Sequence, residues 1–166
     1  MKKLSISFSA IILILIFESF VYHIILKQSN LRSGIYNISD EQVGIKFELN
    51  SSGKFYFITP QPIVTTAHIK SIEVGMSPRV NYHTYPFISL VFDPAGATLI
   101  ENAFAKYKYG RQTGLIIKNK LVSVIESSST SSDGKIIRDG KLTIMSSTFT
   151  IEQLQEWKKE IESEKL

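Results

Sequence analysis

The sequence predicts an α+β domain: a small mixed or antiparallel sheet with a strand–helix–strand crossover and a C-terminal helix, preceded by one transmembrane helix. Three observations carry that prediction. Leu4 to Leu26 is apolar and holds a single formal charge, Glu18. Val43 to Leu49 alternates apolar and polar residues with the period of a half-buried strand. Phe87 to Phe92 is a strongly apolar run that meets Asp93-Pro94, a pair suited to opening a helix.

The N-terminal stretch is long enough to cross a hydrocarbon core of about 30 Å as a helix. Lys2 and Lys3 precede it, so its N-terminus is expected on the cytoplasmic side and the rest of the chain outside. Residues 1–27 read as an uncleaved signal anchor. A cleaved signal is the alternative, but it wants small residues before the cut, and Glu18-Ser-Phe-Val-Tyr-His23 supplies few. A carboxylate inside a membrane is costly, so Glu18 is a candidate for contact with another membrane helix. The chain has no cysteine, which excludes disulfides and thiolate chemistry.

Residues 28–42 are polar and read as a juxtamembrane tether. Residues 43–59 read as an N-terminal hairpin, in which Val43–Leu49 and Lys54–Ile58 flank the turn Asn50-Ser51-Ser52-Gly53. Pro60 and Pro62 are expected to close its second strand. Thr65 or Thr66 would then cap a short helix through Ala67, Ile69 and Ile72, and Gly75 to Pro86 would be a linker. After the Phe87–Phe92 strand, Ala97, Ile100, Ala103, Phe104 and Tyr107 fall on one helical face, and Gly110 can end that helix. Thr113–Ile117 is the next strand, joined to the first by a crossover in one sheet. Lys118-Asn119-Lys120 is a tight turn, with Asn119 able to take positive φ, and Leu121–Ile125 returns antiparallel. Ser127 to Gly140 is a serine-rich loop, and Lys141–Ser146 is the last strand. Thr150 then caps the terminal helix. Gln153 completes a capping box, and Phe149 with Leu154 forms a hydrophobic staple.

The residues bound the chemistry. A net charge of +4 without an arginine-rich block argues against nucleic acid as a partner. The histidines His23, His68 and His83 have no cysteine or paired-carboxylate spacing beside them, so no metal or other cofactor is expected. Ser127, Ser128 and Ser129 lack an identifiable base, and Asp93 is explained by capping, so no catalytic residue is nominated. A pocket gathering His68, His83 and Asp93 would be the sign of an enzyme. Tyr82, Tyr85 and Phe87 form an aromatic cluster beside Pro78 and Pro86. They pack under the sheet or form an exposed apolar patch. Gly96 stands inside a predicted helix, where glycine costs roughly 1 kcal/mol relative to alanine; close approach of the helix to the sheet is one explanation.

From Pro60 to Ile161 several pieces occur in a recognisable order: Phe57 to Lys70 with its Thr59-Pro60 start, Ile88 to Gly96, Leu115 to Ser123, and Leu142 to Leu154. This series resembles the head subdomain of the large periplasmic loop of SecD, a membrane subunit of the bacterial protein-export machinery. Residues 60–162 are therefore assigned as a SecD head-like domain. The sequence departs from the family pattern at Lys118, where an aspartate is usual, at Asn119 and Ser147, where glycines are usual, and at Val124-Ile125, where alanine–proline is usual. Family members span the membrane repeatedly, whereas this chain reads as a stand-alone head on one anchor.

The resemblance implies a non-enzymatic module in the bacterial inner membrane. It would be single-pass, with its C-terminal domain in the periplasm, binding an exported polypeptide or an envelope or translocase component. The membrane contact would run through residues 4–26. The candidate partner-binding residues are Tyr82, Tyr85 and Phe87, together with Ser131 and Asp133 in the long loop; any open sheet edge could add a partner's strand. The alternatives are a structural or regulatory subunit of another envelope complex, and a hydrolase or small-ligand enzyme.

Overall fold

The computed structural model describes residues 31–50, 52–77, 83–105, 112–126 and 140–165. The expected membrane segment, with Glu18, lies outside them, and no described helix is long and apolar enough to cross a membrane. Residues 31–166 form one compact unit. Strands β1 (Gly34–Ile38), β2 (Ile45–Glu48), β3 (Phe55–Thr65), β6 (Gln112–Ile117) and β7 (Lys120–Glu126) make a five-stranded sheet in the order β2-β3-β1-β6-β7. Strands β4 (Ile69–Met76), β5 (Pro86–Phe92) and β8 (Lys141–Met145) make a three-stranded sheet in the order β4-β5-β8. Helix α1 spans Pro94–Ala105 and helix α2 spans Ile151–Ser163.

The larger sheet curls. Its outer strands β2 and β7 meet at a parallel bridge between Leu49 and Leu121, where the Asn50 N–H donates to the Leu121 carbonyl at 3.0 Å. The two faces of the strands then serve two cores, and the register shift in the β6–β7 ladder breaks the alternation of β7 at Val122. Tyr36, Ile38, Ile58, Ile116 and Leu121 fill the inside of the curl with Phe47. Ile35, Leu115, Ile117, Val122 and Ile125 point outward, into a larger core shared with Ile88, Leu90, Leu142, Ile144 and both helices. Gly114 leaves room inside the curl: a Cβ there would lie 2.8 Å from Leu121 Cδ1 and 3.1 Å from Ile58 Cδ1.

The signals that are local in sequence give the expected structure. The hairpin of β2 and β3 pairs antiparallel. Lys118 and Asn119 turn between β6 and β7 with φ of 43° and 62°. The Thr150 side chain accepts from the Gln153 N–H at 3.2 Å. Phe149 and Leu154 are both buried in the larger core, and Phe149 meets Trp157 edge-on, with ring centroids 5.3 Å apart. Leu154, Trp157 and Ile161 seat α2 on β4, β5 and β6.

Several expectations need correction. The tether expected over 28–42 contains β1, an inner strand between β3 and β6 whose Ile35 and Tyr36 are each 1% exposed. Pro60 and Pro62 do not end β3, which runs on to Thr65 and across the boundary expected at residue 59. Beyond Ile58 it has no β2 residue opposite it, and its pairing with β1 shifts register twice; a strand tolerates proline at such edges and bulges. The helix expected from Thr65 to Ile72 is a single 3-10 turn, Thr66–His68, and Ile69 and Ile72 are core residues of β4. The expected linker 75–86 yields its first residues to β4 and its last to β5. The strand–helix–strand unit does not close in one sheet: β5 belongs to the three-stranded sheet and β6 to the five-stranded one. Among the described residues every ladder is antiparallel. Lys106, Tyr107, Lys108 and Gly110 lie outside the described residues.

Candidate functional site

Among the described residues, two outer strands border a groove. β7 is an outer strand of the curled sheet, and β8 is an outer strand of the smaller one. The space between them measures about 740 Å³ and is lined by Val122–Glu126 of β7, Thr143–Ser146 at the end of β8, Phe149, and Leu49, Lys54 and Tyr56 of the β2–β3 hairpin. Ile125, Ile144 and Phe149 are each 8% exposed and form an apolar floor. Ser123, Thr143, Ser146 and Thr148 supply hydroxyls around it.

The backbone phase of β8 follows from its two ends. The Phe92 N–H donates to the Gly140 carbonyl at 2.8 Å, and the Ser146 N–H donates to the Pro86 carbonyl at 3.4 Å. The register between them has no shift. Bonded and non-bonded pairs alternate in an antiparallel ladder, so Leu142 and Ile144 direct their amides toward β5. Lys141, Thr143 and Met145 direct theirs toward the open side. That edge is short and ends in Met145, an apolar side chain 52% exposed. An unpaired row of N–H and C=O groups is a template for an added strand.

The outer face of the smaller sheet continues from this edge. Phe87 stands between Gly75 and Met145, Ser89 between Glu73 and Thr143, and Val91 between Ser71 and Lys141. The Phe87 ring lies over Gly75, where a Cβ would come within 3.1 Å of it. Ser89 and Thr143 share a hydroxyl hydrogen bond of 2.7 Å, and Lys141 pairs with Glu73 across β5. Tyr85 is half-buried beside the start of β5: its N–H donates to Ser77 Oγ at 2.9 Å, and its carbonyl accepts from the Ser77 N–H at 2.8 Å. Of the sequence-nominated residues, Tyr85 and Phe87 thus stand at the end of the smaller sheet that carries Met145. Tyr82, Ser131, Asp133 and Glu18 lie outside the described residues.

His68 and His83 do not converge, and His23 lies outside the described residues. His68 Nδ1 lies 3.2 Å from Asp93 Oδ2, whereas His83 stacks obliquely on Tyr85 at 6.3 Å. The length of β5, about 20 Å, separates the two. Asp93 caps α1: the Gly96 N–H donates to its Oδ1 at 2.6 Å. That bond, more than the neighbouring His68, holds the Asp93 carboxyl below the usual aspartate range. Gly96 is required by the same junction, because a Cβ there would lie 2.7 Å from the His68 Cβ. Helix α1 therefore approaches the 3-10 turn ahead of β4. Among the described residues no group of three or more histidine, aspartate or glutamate side chains is placed to hold a metal ion.

Sequence reasoning left the groove itself unlocated, because it joins strands from two sheets. The available signal was Met145, an apolar residue at an odd position of Lys141–Met145, where the even positions Leu142 and Ile144 already supply the core face.

No protein-family model matches the chain, and no curated protein matches it. Solved structures do. SecDF in a super-membrane-facing form aligns with a TM-score of 0.56 at 15% identity, covering 83% of this chain and 20% of that one. A second structure, of SecDF as a membrane component that enhances protein export, aligns with a TM-score of 0.52 at 13% identity, covering 98% of this chain and 71% of that one. The fold is therefore SecDF-like, and the chain spans one fifth of the length of the first of these neighbours.

Proposed function

We propose that this protein is a membrane-anchored envelope module that holds an extended segment of another polypeptide, in connection with protein export across the bacterial inner membrane. The single observation that carries this reading is the groove bordered by β7 and β8, the outer strands of their sheets among the described residues. An extended chain laid there would extend the β8 ladder through main-chain hydrogen bonds, which are indifferent to sequence. Its alternate side chains would meet Ile125, Ile144 and Phe149 on the floor. Such recognition suits a partner met unfolded and in many sequences. The SecDF-like fold supports the link to export, since the second neighbour is described as enhancing it. The apolar segment Leu4–Leu26 supports a single-pass anchor with the domain on the outer side. The proposed role is binding, without catalysis: His68 and Asp93 have structural work at the head of α1, and His83 stands apart from them.

Photocrosslinking in intact cells tests this reading. A photoreactive residue at Met145 should capture exported chains or export-channel subunits, and one at Tyr85 should do so more weakly. Capture of one unrelated membrane protein would point instead to a structural subunit of another complex. Absence of adducts at both positions would remove the groove as the binding surface.

A further inference from the structure

Successive side chains of a strand added to β8 would meet different surroundings. Cross-strand neighbours in a ladder point to the same face, and successive residues of one strand point to opposite faces. A residue opposite Ile144 would therefore point to the inner face, where Ile125, Ile144 and Phe149 form the floor. The Ile144 amide is directed to β5, so in an antiparallel addition this is a non-bonded pair, with Cα atoms about 4.5 Å apart and side chains close. The next residue would lie opposite Met145 and point to the outer face. Met145 is half-exposed there, with Phe87 as its neighbour in the ladder. Phe87 has Gly75 on its other side, which adds no side chain to cover it. The two flanking positions are polar. At Thr143 an added residue would meet the Ser89–Thr143 hydroxyl pair at 2.7 Å, with the Lys141–Glu73 ion pair beyond it. At Ser146 it would meet the Ser146–Thr148 hydroxyl pair at 2.8 Å.

We infer that the groove selects extended segments in which two adjacent apolar residues stand between small polar ones. The inference rests on the strand-addition reading above and names the class of segment it favours. Two adjacent apolar side chains on a strand point to opposite faces, so one fills the floor and the other covers Met145 and Phe87. Two apolar residues separated by one point to the same face. One apolar surface of the groove then stays bare, and one apolar side chain meets hydroxyls instead. A longer apolar run meets those hydroxyls at both flanks. Main-chain hydrogen bonds would still hold the segment, so the pair adds a preference to a contact that accepts many sequences.

Two peptides of one composition test this: Thr-Ser-Ile-Phe-Ser-Thr, with the apolar residues adjacent, and Thr-Ile-Ser-Phe-Ser-Thr, with them split. Each would carry the same N-terminal dye and be titrated with the full-length protein, with binding read by fluorescence anisotropy. The adjacent peptide should bind about fivefold more tightly, the effect of one more partly buried apolar side chain. Met145→Leu, which keeps the outer face apolar, should retain that preference. Met145→Ser, checked for an intact fold by its urea midpoint, should lose most of it. Equal affinities, with both peptides bound, would overturn the preference and leave strand addition standing. Binding of neither peptide would overturn strand addition and this inference with it. A preference unchanged in Met145→Ser would overturn the role of the outer face, and so the selection of an adjacent pair.

Discussion

Two adjacent prolines should separate the open edge of β8 from its bonded one. Ile144 directs its amide to β5 and is 8% exposed, whereas Met145 directs its amide outward and is 52% exposed. Ile144→Pro removes a ladder bond, about 1 kcal/mol, and most of a buried isoleucine, about 2 kcal/mol. Met145→Pro removes no ladder bond and forfeits packing from a half-exposed side chain, about 1 kcal/mol. Its predecessor already has the extended backbone that a following proline favours. Urea unfolding, followed through Trp157, should therefore place the two variants about 2 kcal/mol apart, with Ile144→Pro the less stable. The folded Met145→Pro variant should bind an extended apolar peptide about fivefold more weakly, because one donor to the added strand is gone. Equal destabilisation by the two prolines would refute the phase assigned to β8, and the open edge with it.

Other substitutions probe the frame that positions this groove. Gly96→Ala should destabilise by about 1–3 kcal/mol in the same urea assay, because the new methyl meets the His68 Cβ. Ser33→Ala should cost about 1–3 kcal/mol, since Glu164 and the Lys118 amide both lose a partner in a part-buried site. Thr113→Val should be neutral or stabilising by up to about 1 kcal/mol, because the buried Thr113 hydroxyl has no hydrogen-bond partner among the described residues. Asp93 has a folded-state pKa lowered by the Gly96 amide first and by His68 after it. Its contribution is therefore complete above the ordinary aspartate range and is lost as pH falls through that range to the lower folded value. Asp93→Asn, which keeps a capping oxygen, should flatten the acid limb of a thermal-melt series against pH.

What was legible in the sequence was local chemistry. Asp93-Pro94 announces α1, Thr150 with Gln153 announces α2, and Lys118-Asn119 announces a hairpin, because each signal acts within a few residues of itself. β1 was hidden because Gly34–Ile38 is short and flanked by polar residues, and its place comes from Val64 and Leu115, far along the chain. The prolines of β3 misled for a related reason: a proline breaks a strand only where its missing N–H is needed, and that depends on which neighbours pair with it. Ile69 and Ile72 fit a helical spacing over one turn as well as a strand with a bulge, and β4 has such a register shift at its start. Sheet membership was equally out of reach, since nothing near α1 says that it leaves one sheet for another. The groove inherits that difficulty, as it exists only once β7 and β8 are assigned to different sheets.

The most direct test is amide hydrogen exchange along β8, on the full-length protein, with and without an extended apolar peptide. Strand addition predicts that the Thr143 and Met145 amides slow on binding, while Leu142 and Ile144, already bonded to β5, do not change. Binding that leaves Thr143 and Met145 exchanging as before would contradict strand addition at this edge.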